Sequence, residues 1–323
     1  MKCVQIVWAA VLAGLPALSL AAQLLVLNKS DATLSFIDPT SGKTAGTVAT
    51  GEGPHEVELS ADHRLAYVSN YGASASNPGN TLSIIDVAAR KEVKRFDLGE
   101  LRRPHGLTFS QGHLYFTSEA SQKIGRYDPV AQRVDGTFKT DQEGTHMVLA
   151  SGDGSKLFAT NMGSKSISII EVGAKGEGKQ TLVGVGEGPE ALDLSPDGRT
   201  LWTAHSRDGG ISVIDITSGK VLHRFDAKTK RSNRLKFTKD GSLVLVSDLG
   251  AGELLVIDPK TRTERTRLKL GNSPTGILIA PDGQHAYVAL SGENRIAVID
   301  LKSLSVEKTI ATGNQPDGMA WVP

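Results

Sequence analysis

The chain has 323 residues, with 36 basic and 35 acidic side chains and a formal net charge of +1 when histidine is neutral. This near balance excludes strong electrostatic attraction to nucleic acid or to an anionic membrane surface. Cys3 is the single cysteine, so the chain contains no intramolecular disulfide, no multi-thiolate metal site and no C-x-x-C-H haem attachment.

The first 21 residues have the pattern of a secretory signal peptide. Lys2 supplies the positive start, residues 4–20 are largely apolar, and Ala21 ends a stretch of small residues that suits cleavage. Gly14 and Pro16 within the apolar run favour a cleaved peptide over a membrane span. We therefore predict a signal peptide at 1–21 and a mature domain at 22–323 that is periplasmic or secreted, lacks a membrane span and has lost Cys3.

An acidic residue closes the same short apolar pattern seven times along the chain. Successive copies are separated by 48, 42, 43, 44, 43 and 42 residues. A nearly constant period of this length, combined with alternating apolar residues, indicates a repeat architecture built of β-strands. The seven positions are Asp38, Asp86, Asp128, Glu171, Asp215, Asp258 and Asp300.

The clearest copy of the repeat covers residues 271–310. Its apolar residues alternate with a period of about two, as expected of strands that are half-buried between sheets. The Pro-Asp-Gly sequence at residues 281–283 is turn chemistry, because proline presets φ and glycine accepts a positive φ. Each period therefore predicts a four-stranded antiparallel sheet, the content of one propeller blade. The predicted strands are 277–280, 286–289, 295–300 and 306–310.

The two ends of the chain complete the count of blades. Residues 313–321 supply only the start of a repeat and its first strand, whereas residues 24–48 supply the other three strands. Sharing a blade between the ends pairs strand edges that would otherwise be exposed. We therefore predict an all-β, seven-bladed β-propeller of four-stranded antiparallel blades, with the last blade closed by the N- and C-terminal strands. The six complete repeats begin near Gly51, Gly99, Asp141, Gly186, Lys230 and Gly271.

The second-strand sequences resemble those of the YVTN family of β-propellers. Residues 67–70, Tyr-Val-Ser-Asn, carry the motif after which that family is named, and related sequences recur at residues 157–161 and 286–289. The resemblance covers nearly all of residues 23–323. It implies the propeller fold and no particular activity, since such propellers serve many functions.

Single blades resemble two other propeller families. Residues 104–109, 114–119 and 123–128 are similar to a repeat of the streptogramin (virginiamycin B) lyases. Residues 246–251 are similar to a segment of the propeller lactonases related to 6-phosphogluconolactonase. These resemblances imply a metal-assisted lyase and a lactonase-like hydrolase as candidate activities.

Alignment of the repeats places two rings of residues around one mouth of the central channel. The first strand of each blade lines the channel, and the antiparallel second strand ends at the face where the first begins. The mouth ring, at the starts of the first strands, is His55, His105, His146, Glu190, Asn233, Thr275 and Asp317. The second-strand ring is Asn28, Asn70, Ser118 (with Glu119 beside it), Asn161, His205, Asp248 and Leu290.

Four of the eight histidines belong to these rings. Neutral histidine and carboxylate form a ligand set for zinc, copper or iron when three or four of them converge. The predicted metal ligands are His105, His146, Glu190 and His205, because they come from neighbouring blades. His146 and Glu190 are also candidates for acid–base catalysis. The alternative is a polar pocket whose histidines bind backbone groups or an organic ligand.

Basic residues lie close to the starts of two first strands, on the same face as these histidines. We expect them to attract an anionic ligand such as a carboxylate or phosphate, although a solvated rim is the alternative. These basic residues are Arg102, Arg103, Lys230, Arg231 and Arg234. The predicted ligand-binding set is His55, His105, His146, Glu190, His205, Arg234, Asp248 and Asp317. The repeated acidic residue of the third strand is expected instead to cap the turn that follows it.

The sequence therefore predicts an exported propeller that binds a small molecule or a protein partner at its histidine-rich face. The alternatives are a lactonase-like hydrolase or metal-assisted lyase at that face, and a protein-interaction scaffold. A scaffold should expose an apolar patch, whereas an enzyme should have a deep polar pocket whose titratable groups have shifted pKa values.

Export can be tested by the intact mass of the protein recovered from its native compartment. Cleavage after Ala21 should leave a chain that begins at Ala22 and contains no thiol. A mass that includes Cys3 would contradict both the cleavage site and the predicted location.

Overall fold

The computed structural model describes residues 22–173 and 177–323, so the predicted signal peptide lies outside the described residues. The strands form seven four-stranded sheets arranged as the blades of a propeller. Blades 1 to 6 follow one another along the chain from Pro54, and blade 7 joins the two ends. This confirms the predicted seven-bladed, all-β fold.

The four strands of each blade have the same roles throughout. The innermost strands, which line the channel, are β4 (Pro54–Leu59), β8 (Pro104–Ser110), β12 (Thr145–Ala150), β16 (Pro189–Leu194), β20 (Ser232–Phe237), β24 (Pro274–Ile279) and β28 (Pro316–Val322). The second strands are β1 (Gln23–Asn28), β5 (Leu65–Gly72), β9 (His113–Ser118), β13 (Lys156–Asn161), β17 (Thr200–His205), β21 (Val244–Asp248) and β25 (His285–Leu290).

The outer half of each blade is equally regular. The third strands are β2 (Thr33–Ile37), β6 (Pro78–Asp86), β10 (Lys123–Asp128), β14 (Ser166–Glu171), β18 (Gly210–Asp215), β22 (Glu253–Asp258) and β26 (Arg295–Asp300). The outermost strands are β3 (Thr44–Ala49), β7 (Lys91–Asp97), β11 (Arg133–Lys139), β15 (Gln180–Gly184), β19 (Val221–Asp226), β23 (Thr263–Lys269) and β27 (Ser305–Ala311). A single 3₁₀ turn, Glu119–Ser121, is the only helical element among the described residues.

The hydrophobic core lies between the blades. Seven clusters of buried apolar side chains occupy the seven blade junctions. The second and third strands are buried on both faces, because each blade packs against two neighbours, whereas an outermost strand such as β7 alternates between half-buried and exposed residues. In the part of the chain that the structure describes, no helix is long and apolar enough to cross a membrane.

Blade 7 is closed by the pairing of β28 with β1. The register pairs Gln23 with Val322 and Leu25 with Ala320, and the side chains of both strands enter the clusters on either side of the blade. The order β28-β1-β2-β3 is the predicted arrangement, in which the C-terminal strand completes the N-terminal blade.

In six of the seven blades the aspartate at the end of the third strand caps the next turn, as predicted. Asp38 Oδ1 accepts hydrogen bonds from the N–H groups of Thr40 and Ser41 at 2.8 and 3.2 Å. Asp300 makes the equivalent bonds with Lys302 and Ser303 at 3.0 and 2.6 Å. Hydrogen bonds to Ser41 and Thr40 hold the pKa of Asp38 below its ordinary value.

A β-bulge interrupts the first strand of every blade, and in blade 4 the pairing resumes one residue sooner than in the others. In blade 1, Pro54 pairs with Asn70 and Val57 pairs with Val68, so one extra residue stands in the first strand. A bulge of this kind bends the strand and re-aims its side chains. The first strands begin at the proline or its equivalent, earlier than predicted, because pairing resumes on both sides of the bulge.

Deletion of residues 313–323 tests the closure of the ring. The truncated chain loses all of β28, which exposes the edge of β1 and opens two hydrophobic clusters. We expect aggregation or the loss of a cooperative unfolding transition, measured by calorimetry and circular dichroism. Deletion of Pro323 alone, which is exposed and outside β28, is the matched control. An unchanged melting temperature after the longer deletion would contradict the shared blade.

Candidate functional site

The bulges present two successive residues of each first strand to the channel, at different depths. His55 lines a cleft at the mouth of the channel, whereas the next residue, Glu56, lines a chamber below it. The mouth cleft has a volume of about 540 Å³, and its walls include Lys29, Tyr71 and Arg103. Of the mouth ring predicted from the repeats, His55 therefore lines a concave site.

Buried hydroxyl groups fix the position of this ring. Ser69 Oγ accepts the N–H of Glu56 in its own blade at 3.2 Å and donates to the carbonyl of His105 in the next blade at 2.7 Å. Thr117 repeats this arrangement, with a 2.6 Å bond to the carbonyl of His146. Thr160 and Ser247 make the same kind of bond to the carbonyls of Glu190 and Thr275, so a second-strand hydroxyl holds the mouth residue of the following blade at four junctions.

Three imidazole rings from consecutive blades form a row at the mouth. The ring centroids of His55 and His105 are 4.8 Å apart, and those of His105 and His146 are 3.8 Å apart. Tyr71 covers the first two rings, with centroid distances of 4.5 Å to His55 and 5.3 Å to His105. We call His55, His105 and His146 the histidine row.

A chain of polar contacts leads from the cleft to the far end of the histidine row. Arg103 donates to the hydroxyl of Tyr71, and that hydroxyl donates to Glu119 Oε2. The guanidinium of Arg103 also lies 4.1 Å from the centroid of the Tyr71 ring, which is a cation–π distance. The same oxygen of Glu119 lies 3.7 Å from Nδ1 of His146.

Burial keeps two imidazoles of the row neutral. Desolvation lowers the pKa of His55 to about 4, and the charge of Asp317 only partly opposes it. Desolvation, together with the neighbouring imidazoles, holds the pKa of His105 well below its ordinary value. Because Nδ1 of His55 lies 2.7 Å from the carbonyl oxygen of Gly53, that nitrogen carries the proton in the neutral ring and Nε2 is the free base.

Two carboxylates near the histidine row, Glu119 and Asp317, have pKa values below their ordinary range. Burial would raise the pKa of Glu119, but hydrogen bonding with His146 and Tyr71 and the charge of Arg103 lower it. Burial would likewise raise the pKa of Asp317, but Lys29 at 2.9 Å and the charge of Arg234 lower it to about 2.

An ion pair crosses the channel below the mouth cleft. Arg234 of blade 5 donates to Glu56 of blade 1, and both side chains are largely buried. Burial would lower the pKa of Arg234, but the charges of Glu56, Asp317 and Glu190 raise it. Glu190 in turn accepts a hydrogen bond from Asn233 Nδ2. Arg234 is therefore part of β20 inside the channel, and not in a loop at its mouth as the sequence suggested.

The structure divides the predicted ligand-binding residues into two groups. His55, His105 and His146 come together, and Glu190, Arg234 and Asp317 line the channel beside them. His205 and Asp248 instead bond groups close to their own strands: His205 Nδ1 pairs with Asp208 at 3.0 Å, and Asp248 accepts the N–H groups of Lys230 and Arg231. Both side chains are fully buried.

The predicted metal set is not brought together in this structure. Within residues 22–173 and 177–323, one group of three His, Cys, Asp or Glu residues has ligand atoms that all lie within 4.8 Å of one another, and it is His113, Asp128 and Asp135. That group stands away from the mouth, and Asp135 is already bound by Arg126 at 2.8 Å. His146 has Glu119 as its nearby carboxylate, whereas Glu190 bonds Asn233.

Four important side chains were absent from the predicted binding set. Tyr71, Glu119, Lys29 and Glu56 lie next to the rings and not in them. One signal was available for Tyr71, because the 48-residue spacing shows that the loop after it is the longest of its kind. The others follow from the bulge and from contacts between blades, which the repeat alignment does not contain.

A family model described as "Lactonase, 7-bladed beta-propeller" matches residues 143–318, more than half of the chain. The chain belongs to this family of propellers. The match to a curated protein, antigen Lp49 of Leptospira interrogans, is 24% identical over 234 residues and covers 70% of this chain but only 42% of that protein.

Solved structures agree on the fold of this lactonase-family propeller. The periplasmic gluconolactonase of Pseudomonas aeruginosa has a TM-score of 0.78 at 19% identity, covering 94% of this chain and 99% of that chain. A putative 6-phosphogluconolactonase from Bacteroides fragilis has a TM-score of 0.78 at 16% identity, covering 95% and 100%. Hydrazine synthase of Kuenenia stuttgartiensis has a TM-score of 0.75 at 19% identity, covering 86% and 92%. At these identities the likeness shows the fold alone.

The neutral state of His55 predicts a specific dependence of stability on pH. The pKa of His55 is about 4 in the folded chain and 6.5 when unfolded, so the unfolded state binds a proton first as pH falls from 6.5 to 4. Between pH 7 and 4.5, the free energy of unfolding of the wild type should therefore fall by about 2–3 kcal/mol more than that of His55→Gln. Urea unfolding of both proteins at the two pH values measures this difference, and equal losses would show that His55 titrates normally.

Proposed function

We propose that this protein hydrolyses a lactone, an intramolecular ester, in the mouth cleft. The observation that carries the proposal is a pair of neutral imidazoles, His55 and His105, on the same side of the mouth as two cations, in a chain of the lactonase propeller family. Ester hydrolysis needs a base to activate water and positive charge to stabilise the oxyanion that forms. His55 supplies the first requirement, and Lys29 and Arg103 supply the second.

The reaction proceeds in two steps on these residues. Nε2 of His55 removes a proton from water as the water oxygen attacks the lactone carbonyl, and the resulting alkoxide is stabilised by Lys29 or Arg103. The ring C–O bond then breaks, and the imidazolium returns its proton to the departing alkoxide. The carbonyl oxygen of Gly53 stabilises the imidazolium by accepting a hydrogen bond from Nδ1–H throughout.

Arg103, Tyr71 and Glu119 act as positioning residues in this proposal. Burial and the carboxylate of Glu119 raise the pKa of Tyr71, so its phenol stays protonated and keeps donating to Glu119. The Tyr71 ring in turn packs against His55 and His105. This arrangement restricts the orientation of the imidazoles before substrate binds.

The localisation proposed with this activity is the periplasm. It is supported by the signal-like sequence of residues 1–21 and is compatible with the periplasmic gluconolactonase that shares the fold. A sugar lactone is therefore the first substrate to test.

The test compares the hydrolysis of D-glucono-δ-lactone and of unsubstituted δ-valerolactone with their spontaneous rates. We expect catalysis by the wild type and a decrease in kcat of about 10²- to 10⁴-fold in His55→Gln. His223→Gln, on an exposed outermost strand, is the matched control and should retain full activity. No acceleration of either lactone, or equal activity in His55→Gln, would overturn the mechanism.

The pH profile provides a second readout. Since the pKa of His55 is about 4, the acid limb of kcat/KM should fall near pH 4 and not near 6.5. A group with such a low pKa is a weak base, which favours ligand binding without turnover as the second candidate function. Saturable lactone binding with no hydrolysis, measured by calorimetry, would support that candidate and reject the hydrolase.

A further inference from the structure

The channel contains a second space that the mouth cleft does not reach. The chamber below the histidine row has a volume of about 270 Å³ and shares no lining residue with the mouth cleft. The ion pair of Glu56 and Arg234 lies on its upper side. Gly318 is needed at this level, because a Cβ atom there would come within 2.3 Å of the carbonyl oxygen of His55. Adjacent first strands therefore pack closely here, and the crossing ion pair divides the channel.

This chamber continues towards the opposite face of the propeller. A neighbouring cleft of about 440 Å³ shares Val57, Glu58, Leu278 and Met319 with it. The walls of the chamber are mostly apolar, with Leu107, Met147, Leu149 and Leu192 among them. Phe109 and Trp321 line the outer cleft, which we call the vestibule. A ligand that enters from this face meets an aromatic vestibule first and then an apolar chamber.

Glu58 lies where the chamber and the vestibule join, and it is the carboxylate that no cation pairs with. Glu56 is paired with Arg234, and Lys236 lies 3.6 Å from Asp193. Among the described residues, no basic nitrogen lies within 4.0 Å of the Glu58 carboxylate. Three carboxylates, those of Glu56, Glu58 and Asp193, therefore lie beside two cations, Arg234 and Lys236, in this part of the channel.

The surroundings of Glu58 explain its state. Desolvation raises the pKa of Glu58 to about 7, and the charge of Lys236 and a hydrogen bond from the backbone of Phe109 only partly offset that rise. A desolvated carboxylate without a cationic partner is costly, and either a proton or a cation can remove the cost. The apolar residues around Glu58, among them Val57, Leu278 and Met319, favour a cation with an apolar body.

We propose that the chamber and vestibule form a second binding site, open at the face opposite the histidine row, for a small organic monocation of the arylalkylamine class. The ammonium group pairs with Glu58, and the aromatic body packs against Phe109 and Trp321 at the vestibule. This site is independent of the hydrolase proposed for the mouth cleft. It uses none of the residues of the histidine row.

Titration of the full mature protein with 2-phenylethylamine at pH 8, followed by calorimetry, tests the proposal. We expect saturable binding with one site per chain, and binding at least tenfold weaker for the neutral analogue 2-phenylethanol. The variant Glu58→Gln keeps the size of the side chain and should lose about 10- to 100-fold in affinity, the usual effect of removing a charged hydrogen-bond partner.

Two further variants show whether the amine occupies the chamber or the mouth cleft. Glu119→Gln removes a carboxylate of the mouth cleft and should leave the affinity unchanged. Trp321→Phe changes an aromatic residue of the vestibule and should abolish any fluorescence change that accompanies binding. This variant replaces Glu58→Gln as the test if Glu58→Gln does not fold. No saturable binding by the wild type, equal binding of the alcohol, or a loss of binding in Glu119→Gln in place of Glu58→Gln would each overturn the proposal.

Discussion

The arrangement of the mouth depends on one repeated interaction, the buried hydrogen bond from a second-strand hydroxyl to a carbonyl of the next blade. The bulge in each first strand leaves a backbone N–H without a ladder partner, and the hydroxyl of Ser69 or Thr117 satisfies it. The same hydroxyl then donates to His105 or His146, and both hydroxyls are fully buried. A buried polar group left without a partner is costly, so this bond links the positions of His105 and His146 to the blade before each of them.

Burial also determines the chemistry of the mouth. A histidine in water would be partly charged near neutral pH, but His55 and His105 are packed against each other and against Tyr71. Desolvation then favours the neutral imidazole, which is the form that can accept a proton. The cations of the cleft, Lys29 and Arg103, are placed where an anion would be stabilised in a medium of low dielectric constant.

The ion pair of Glu56 and Arg234 separates the mouth cleft from the chamber below it. A buried pair of this kind contributes little net stability, because desolvation of both charges offsets their attraction. Its effect is geometric: two side chains from blades 1 and 5 meet across the axis, above a chamber with mostly apolar walls. Removing one partner alone would leave the other charge buried, so a single substitution in the pair should be destabilising.

The sequence alone determined the fold, because a constant period and a shared terminal blade follow from local strand and turn patterns. It also identified the mouth ring, since equivalent positions of a repeat must lie on the same face. Only the tertiary structure decided which members of the rings meet. His205 and His146 were both candidates in the alignment, yet His205 bonds Asp208 inside its blade while His146 packs against His105 at the mouth. The bulge and the curvature of the ring bring Arg234 to Glu56, 178 residues away in sequence, and a repeat pattern carries no information about such cross-channel distances.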